Sequence, residues 1–386
     1  MKRTKQQNQK FNQGITLVAL VVTIVVLLIL SSVSLNLVLG DNGIIVKAKE
    51  AAETTAAAQE KEAMERNLLE KELENSLSTP VVEPTDGVKI PTGFYYVGGT
   101  KASGIVISDN KNDKNKYRNQ KVVGTDLLGN QYVWIPCTTD NTSSDLQYTR
   151  TEWGVEVDGD DNSRAIKDEL TLTDASVTYS DADTANGINA DVSKEIVAQI
   201  NAEKTSVAKY GGYYIGRYEV GKNGDTAVVK YNQTPYASIT WSTAYGLAKK
   251  IITNSEATSY LCSSYAWDTA VNFIQNNSTA KNYATSIEGF NGNWNPQEVK
   301  DPSGNVIKPA GTSQQLNTGL TTQFCNIFDM GGNEAEFTTE LNPGTSETVV
   351  LRGGDYYDYF PAGYRWDTSS GLAYIYIGFR ATLFLK

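Results

Sequence analysis

Residues 326–337 read Asn-Ile-Phe-Asp-Met-Gly-Gly-Asn-Glu-Ala-Glu-Phe, and two shorter motifs follow them, Leu351-Arg-Gly-Gly354 and Ile377-Gly-Phe-Arg380. Paired glycines beside short apolar runs predict tight turns between short strands. We expect Phe379 to be buried, and Arg352 and Arg380 to be paired with backbone carbonyls or acids, because an unpaired charge is rarely buried. The three motifs therefore predict a buried framework in this part of the chain.

Three further motifs precede this framework: Gly211-Gly-Tyr-Tyr-Ile-Gly-Arg-Tyr-Glu219, Ile239-Thr-Trp241 and Tyr265-Ala-Trp267. In this order the six motifs resemble the formylglycine-generating-enzyme (sulfatase-modifying factor) domain, a variant of the C-type lectin fold. The resemblance covers residues 205–386, and strands expected near Phe94 and Tyr132 extend it to about residue 90. It implies an α+β domain over residues 91–386 with short strands and long loops, in keeping with the many glycines and asparagines of this region.

Apolar residues at helical spacing predict one helix after Thr240 and a second after a capping Ser264. The apolar positions are Trp241, Tyr245, Ala248 and Ile252 in the first helix, and Trp267, Ala270, Val271 and Ile274 in the second. Residues 140–204 are the most polar part of the sequence, and they are interpreted as an insertion rather than as core.

Residues needed for the oxidase chemistry of the resembling family are missing from this sequence. In that family two cysteines after the Arg-Gly-Gly motif hold copper, because soft thiolate sulfur selects Cu(I). This chain has only Cys137, Cys262 and Cys325, none of which follows Arg352, and it has no histidine to act as the usual general base. Two of the cysteines could form one disulfide outside the cell, and buried free thiols are the alternative. We therefore expect a protein that is not an enzyme and requires no cofactor.

The same resemblance implies a structural calcium ion within residues 326–337. Asp329 and Glu336 would supply side-chain oxygens, which are the ligands that calcium prefers, together with backbone carbonyls near Gly332 and Glu334. The alternative is that these polar groups cap turns.

The tract between Gly354 and Ile377 has the composition of a binding surface. Tyrosine gives a large contact area with only two side-chain torsions to restrict, and Ser and Gly give adaptable polar contacts. Six tyrosines lie in this tract, and from Gly353 to Leu385 there is no Lys, Glu, Gln or Met. Buried strands also avoid charge, but they do not require adjacent tyrosines on both faces. The candidate ligand-binding residues are Asp355, Tyr356, Tyr357, Asp358, Tyr359, Phe360, Asp367, Ser369, Leu372, Ala373, Tyr374 and Tyr376.

This placement and composition resemble the variable proteins of diversity-generating retroelements, which carry a variable region at the C-terminus of a lectin-type domain. In those elements, changes at adenines spread certain codons over a limited set that includes Tyr, Asp, Ser and Gly but never Lys, Glu, Gln, Met or Trp. Residues 355–360 and 367–376 fit this set at every position, whereas Trp366 would be a fixed residue. The resemblance implies a variable region within residues 352–380.

The N-terminal segment indicates where this domain is displayed. Residues 1–14 are polar and basic, and residues 15–40 carry no charge, a run long enough to span a hydrocarbon core as a helix. Gly14 directly before Ile15 resembles the type IV prepilin signature of Gram-positive bacteria, in which a membrane peptidase cuts after the glycine and methylates the new N-terminus. The family's glutamate at the fifth mature position is Ala19 here, so the charge pair that the family uses in filament assembly is missing, whereas membrane insertion does not depend on it. An uncleaved signal anchor is the alternative.

These features divide the chain into a leader over residues 1–14, a transmembrane pilin-like helix and stalk over residues 15–77, a linker over residues 78–90 and the lectin-type domain. The formal net charge of −10 argues against nucleic acid as a partner. We expect an adhesin or receptor of the cell membrane and cell surface, in a pilus or pseudopilus, with the C-terminal domain outside the cell. Its partners would be an extracellular protein or glycan ligand, other pilin subunits and the prepilin peptidase. The alternatives are a structural pilin or pseudopilin subunit and, as a third, an oxidase of the formylglycine-generating type.

Overall fold

The computed structural model describes residues 17–39, 47, 55, 87–151, 153, 157–158, 162–163, 167–290, 292–301, 304–321, 323–346 and 348–386. The chain divides into two compact units, residues 1–79 and residues 80–386. In the first unit a helix, α1, spans Leu17–Leu39 and contains no charged residue. Counting only the residues that the structure describes, no helix is both long enough and apolar enough to cross a membrane. The predicted leader with Gly14 and Ile15 lies outside the described residues, as do most of the predicted stalk and linker.

The second unit has seventeen short strands and four α-helices within its described residues, which confirms the mixed α+β class. The strands are β1 (Tyr95–Gly98), β2 (Ile105–Ser108), β3 (Gln131–Pro136), β4 (Val157–Asp158), β5 (Asn162–Ser163), β6 (Gly212–Gly216), β7 (Gly221–Asn223), β8 (Thr226–Val228), β9 (Thr234–Pro235), β10 (Ala257–Leu261), β11 (Val299–Lys300), β12 (Val306–Lys308), β13 (Ala335–Leu341), β14 (Val349–Arg352), β15 (Arg365–Thr368), β16 (Ile377–Phe379) and β17 (Ala381–Leu385). The helices are α2 (Asp181–Ala185), α3 (Ala190–Tyr210), α4 (Trp241–Ala248) and α5 (Ser264–Asn277).

An antiparallel six-stranded sheet, in the order β1-β2-β3-β6-β17-β10, forms the centre of this unit. The strands expected near Phe94 and Tyr132 are β1 and β3. Strands β6 and β17 are buried along their whole length. Thr382 of β17 pairs with Ile215 of β6 on one side and with Tyr260 of β10 on the other. Strand β17 therefore occupies an interior position of the sheet.

Helix α3 lies largely within the region interpreted as a polar insertion, and that interpretation was wrong for this helix. Ile196, Ile200 and Val207 belong to the hydrophobic core, and the helix packs on β6 and β17. Its sequence is polar because the buried face also carries Gln199 and Glu203. The amide nitrogen of Gln199 donates to Glu203 at 2.8 Å and to a backbone carbonyl of β10 at 3.0 Å, so this buried donor is satisfied inside the core.

The two helices predicted from apolar spacing are present. Helix α4 is capped by Thr240 as expected, but it ends at Ala248 and leaves Ile252 outside. Helix α5 begins at Ser264, and its cap is the preceding Ser263, whose hydroxyl accepts from a backbone N–H of the first turn. Sequence spacing thus located both helices and missed their ends by one to four residues.

A second sheet, in the order β15-β14-β13-β16, carries the three C-terminal motifs. Strand β14 is antiparallel to β13 and β15, whereas β16 runs parallel to β13. Strand β16 follows β15 in the chain but pairs at the opposite edge of the sheet. Residues 369–376 therefore have to cross from one edge to the other, and this crossing is the second half of the tyrosine-rich tract.

Candidate functional site

Buried ion pairs hold the strands on both sides of the tract. Arg352, at the end of β14, donates to Asp268 of α5 at 2.6 Å and to a backbone carbonyl at 3.2 Å. Arg365, at the start of β15, donates to the other oxygen of Asp268 at 2.7 Å and to Glu340 of β13 at 3.1 Å. All four side chains are buried. The network ties three strands and one helix together directly beneath the tract.

Arg380 closes the tract on its C-terminal side. Its guanidinium donates to both oxygens of Glu336, at 2.6 and 3.1 Å, and to three backbone carbonyls. Phe379 beside it is fully buried. The predicted burial of Phe379 is confirmed, and so is the predicted pairing of Arg352 and Arg380 with acids and carbonyls.

The first half of the tract is a turn that Asp355 holds from below. Gly353 enters the turn in a left-handed conformation with φ of 72°, which residues with a Cβ atom rarely adopt. The carboxylate of Asp355, which is 1% exposed, accepts from the backbone N–H groups of Tyr357 at 2.7 Å and Asp358 at 3.2 Å. Burial raises the pKa of Asp355 to about 6, although the hydrogen bond from Tyr357 opposes this shift. Asp355 thus supports the turn and presents almost no surface of its own.

The second half of the tract is held by backbone groups that contact loops outside it. The carbonyl of Tyr374 accepts from the backbone N–H of Ser238 at 3.0 Å and from that of Ile377 at 3.3 Å. The carbonyl of Ile375 accepts from the side chain of Gln315 at 3.2 Å. Because these bonds use the backbone of the tract, the side chains of Tyr374 and Ile375 are left to face outward.

The two halves of the tract meet through their aromatic rings. Tyr357 of the first half contacts Tyr376 of the second edge-on, with ring centroids 5.4 Å apart and planes at 76°. Tyr376 also stacks on Tyr374, with centroids 5.0 Å apart, and on Trp366 at 6.2 Å. We name these four residues, Tyr357, Trp366, Tyr374 and Tyr376, the tyrosine surface. The ring of Tyr357 and the stacked Tyr374–Tyr376 pair form two nearly perpendicular walls of this surface.

Exposed tyrosines are confined to the tract. The chain has 22 tyrosines, all of which the structure describes, and only Tyr357, Tyr359 and Tyr374 are exposed, at 45, 65 and 38%. Ile375 next to them is 55% exposed. Large apolar side chains that are clustered on the surface often mark interaction sites, whereas single scattered ones do not.

The twelve candidate ligand-binding residues differ in their exposure. Exposed are Tyr357, Tyr359, Ala373 and Tyr374; half-buried are Asp358, Phe360, Ser369, Leu372 and Tyr376; buried are Asp355, Tyr356 and Asp367. Sequence analysis expected these three buried residues to face a ligand; of them, Asp355 supports the tract from below. Sequence analysis also left out Ile375, which is exposed, and Trp366, which stacks on Tyr376. Composition pointed to Ile375, which lies within residues 367–376, but it did not point to Trp366. A loop that crosses a sheet has no regular alternation of faces from which either position could be assigned.

Acidic groups lie behind the tyrosine surface. Glu334 is 1% exposed; one carboxylate oxygen accepts from Gln315 at 2.6 Å, and the other has no hydrogen-bond partner among the described residues. Burial raises the pKa of Glu334 well above its usual value, and the nearby Asp355 adds to this shift. Burial also raises the pKa of Tyr376, to which Asp355 and Asp358 contribute. The titratable groups that lie behind the surface are therefore carboxylic acids.

Asp329 and Glu336, the expected calcium ligands, are both buried and engaged elsewhere. The carboxylate of Asp329 accepts from the backbone N–H of Gly319 at 3.0 Å and from the hydroxyl of Thr321. Both oxygens of Glu336 face the guanidinium of Arg380. Within the described residues no three acidic, cysteine or histidine side chains are grouped so as to hold a metal ion. As arranged here, the two residues hold loops in place and do not fit a calcium site.

The three cysteines are buried free thiols. Burial raises the pKa of Cys137 and of Cys262 well above the usual value, and it raises the pKa of Cys325 to about 12. Because the thiolate is the reactive form of cysteine, these groups are poorly placed for redox or nucleophilic chemistry.

No protein-family model matches the chain, and no curated protein matches it. Among solved structures, the chain is similar to variable protein 1 of Treponema denticola, at 15% identity over 45% of this chain and 84% of that chain, with a TM-score of 0.30. It is similar to CarF at 14% identity over 46% of this chain and 87% of that chain, with a TM-score of 0.30. It is also similar to PvdO from Pseudomonas aeruginosa, at 13% identity over 46% of this chain and 82% of that chain, with a TM-score of 0.26. At these TM-scores the likeness assigns neither a fold family nor a function to the chain.

Proposed function

We propose that this protein is a non-catalytic recognition protein of the cell surface, which binds an extracellular protein or glycan through the tyrosine surface of a C-type-lectin-like domain. One observation carries the proposal: all exposed tyrosines lie in two stretches that a buried framework brings together. Large aromatic side chains dominate the binding energy of many interfaces because they bury much area around a small dry centre.

The chemistry of the described residues supports a role without catalysis. The chain contains no histidine. Its cysteines are buried thiols whose raised pKa keeps them protonated. The exposed part of the tract offers tyrosine, isoleucine and alanine side chains, which bind well but supply no nucleophile or general base at neutral pH.

The proposal includes sequence variation in the tract. Tyr357, Tyr359, Tyr374 and Ile375 are exposed and fall inside residues 355–360 and 367–376. Exchanges at exposed positions usually change stability little, so they would alter the ligand without unfolding the domain. Buried positions of the same stretches, such as Asp355, would tolerate fewer residue types.

The proposed location rests on residues 1–40. The basic leader, Gly14 before Ile15 and the uncharged run that follows suit insertion into the cytoplasmic membrane with the second unit outside. Processing by a prepilin peptidase and contact with other pilin subunits belong to this part of the proposal. Mass spectrometry of the membrane-extracted protein tests it: a methylated N-terminus at Ile15 supports processing, and an intact Met1 terminus contradicts it.

Binding through the tract can be tested with a triple substitution of Tyr357, Tyr359 and Tyr374 to Ala. The intact chain is panned against a displayed library of random peptides, and the enriched peptides are measured on both proteins by calorimetry. We expect the triple variant to keep the melting temperature and to lose binding at least tenfold, since each buried aromatic anchor is worth about 1–2 kcal/mol or more.

The matched control exchanges two exposed apolar residues outside the tract, Val123 and Leu128, for Ser. Their removal should leave binding unchanged. If the triple variant retains the peptides as well as this control does, the recognition surface lies elsewhere.

Variation is tested separately by sequencing the gene across a population. Changes confined to exposed positions of the tract support diversification, and an invariant tract favours a structural pilin subunit.

A further inference from the structure

The charges around the tyrosine surface are unbalanced. From Gly353 to Leu385 the only basic residues are Arg365 and Arg380, and both are buried and paired with acids. Among the ion pairs of the described residues, none involves Asp355, Asp358 or Glu334. The surface thus has acids behind it and no cation of its own.

Glu334 is a buried acid behind the tyrosine surface. Its second carboxylate oxygen is buried and has no hydrogen-bond partner in the described part of the chain, although buried acceptors are nearly always satisfied. Glu334 lies close enough to Tyr356 to help raise the pKa of that phenol, and Tyr356 packs against Tyr357 with ring centroids 4.6 Å apart. A positive charge placed against the rings would favour loss of the proton that burial keeps on Glu334, and the resulting carboxylate would attract that charge from behind.

The rings have the geometry that attracts a cation. The faces of aromatic rings carry partial negative charge, and a cation within about 6 Å of a ring centroid is stabilised. The walls formed by Tyr357 and the Tyr374–Tyr376 pair meet at 76°, so a cation in the corner would lie against two rings at once. Lys249 over Tyr245, at 4.7 Å from the ring centroid, is an example of this contact within the chain.

We infer that the tyrosine surface binds a protein segment that presents a Lys or Arg side chain, with the cationic group in the corner between Tyr357 and the Tyr374–Tyr376 pair. This inference rests on the proposed function. A Lys or Arg side chain fits better than a simple ammonium ion, because its methylene stem can lie along the exposed Ile375 while its head remains charged. The acids Asp355 and Asp358 then supply long-range attraction for a basic partner.

A series of capped heptapeptides tests the inference. The probes are Gly-Ser-Arg-Gly-Arg-Ser-Gly and its analogues with both arginines replaced by citrulline, which is neutral and nearly the same shape, or by glutamate. Binding to the full chain is followed by NMR of labelled tyrosine rings. We expect the arginine peptide at millimolar concentration to shift the resonances of Tyr357, Tyr374 and Tyr376, and the citrulline peptide to bind about three- to fivefold more weakly.

Two charge-neutralising variants separate the local effect from the overall negative charge of the protein. Asp358→Asn should weaken the arginine peptide severalfold, whereas Asp191→Asn, at an exposed site on α3, should not. Equal binding of the arginine and citrulline peptides, equal effects of the two variants, or no shift of the three rings would overturn the inference. If library peptides without basic residues bind the tyrosine surface, the inference fails but the proposed function stands. If the library peptides bind the Tyr357, Tyr359 and Tyr374 triple variant as well as they bind the unaltered protein, the proposed function fails too.

Discussion

Asp268 is the residue whose loss should affect the framework most. Its two carboxylate oxygens each face a different guanidinium, Arg352 at 2.6 Å and Arg365 at 2.7 Å, and all three side chains are buried. In Asp268→Asn the shape is kept, but an amide N–H₂ group replaces one oxygen and points at a donor. Arg365 keeps Glu340 as a partner at 3.1 Å. Among the described residues Arg352 has no second carboxylate within hydrogen-bonding distance, so it loses its counter-charge.

The loss of unfolding free energy in Asp268→Asn can be estimated from this arrangement. Removing one partner of a buried ion pair typically costs about 3–5 kcal/mol, because the other charge stays buried and unpaired. For a domain of this size each kcal/mol corresponds to about 2 °C, so the melting temperature should fall by about 6–10 °C. Urea unfolding followed by tryptophan fluorescence measures the free energy directly.

The matched control is Glu195→Gln, which removes the same charge from an exposed pair with Lys249 at 2.7 Å. Such pairs are worth about 0–1 kcal/mol. Adding Arg352→Met to Asp268→Asn should recover part of the loss, with a coupling of about 2 kcal/mol in the double-mutant cycle. The reasoning is refuted if Asp268→Asn costs no more than the control, or if the two substitutions at the buried pair are additive.

Two other predictions concern pH and glycine. Burial raises the pKa of Glu203 to about 7, so the folded state holds a proton that the unfolded state has released. The free energy of unfolding should therefore fall as the pH rises from about 4.5 to about 7, by up to about 3 kcal/mol for this group. In Glu203→Gln the urea midpoint should change less between pH 5 and pH 8 than in the unaltered protein. An equal change of midpoint in the two proteins would contradict this. Gly353→Ala should cost about 1–2 kcal/mol because of the left-handed backbone. Gly246→Ala, in helix α4 with open space around the added Cβ, should instead stabilise by about 0.5–1 kcal/mol, and equal thermal shifts in the two variants would be evidence against this account.

Sequence motifs identified the framework because its residues have strong local requirements. Arg352, Phe379 and Arg380 stand in apolar surroundings where a charge must find a partner, and the structure provides Asp268 and Glu336. Neither partner could be assigned from sequence, since Asp268 lies 84 residues from Arg352. Pairing across that distance is a property of the folded chain and not of any local pattern.

The sequence was less informative where polar side chains are buried. Gln199 and Glu203 gave helix α3 the composition of a solvated segment, although the helix covers the central sheet. Asp355 and Asp367 similarly suggested polar contacts to a ligand, and they are buried. For Gln199 and Asp355, hydrogen bonds to backbone groups compensate for burying side chains that hydropathy assigns to water.

The interior position of β17 sets the order in which this protein can be completed. Strands β6 and β10 are both made before the tyrosine-rich tract, but the hydrogen bonds on their facing edges are formed with β17, which follows the tract. The central sheet therefore stays open until residues 381–385 have been synthesised. A frameshift or stop codon anywhere in the tract would remove β17 and leave two unpaired strand edges, which favour aggregation and degradation. Only chains that are translated in frame through the tract contain β17, so only these chains can complete the central sheet and display the tract.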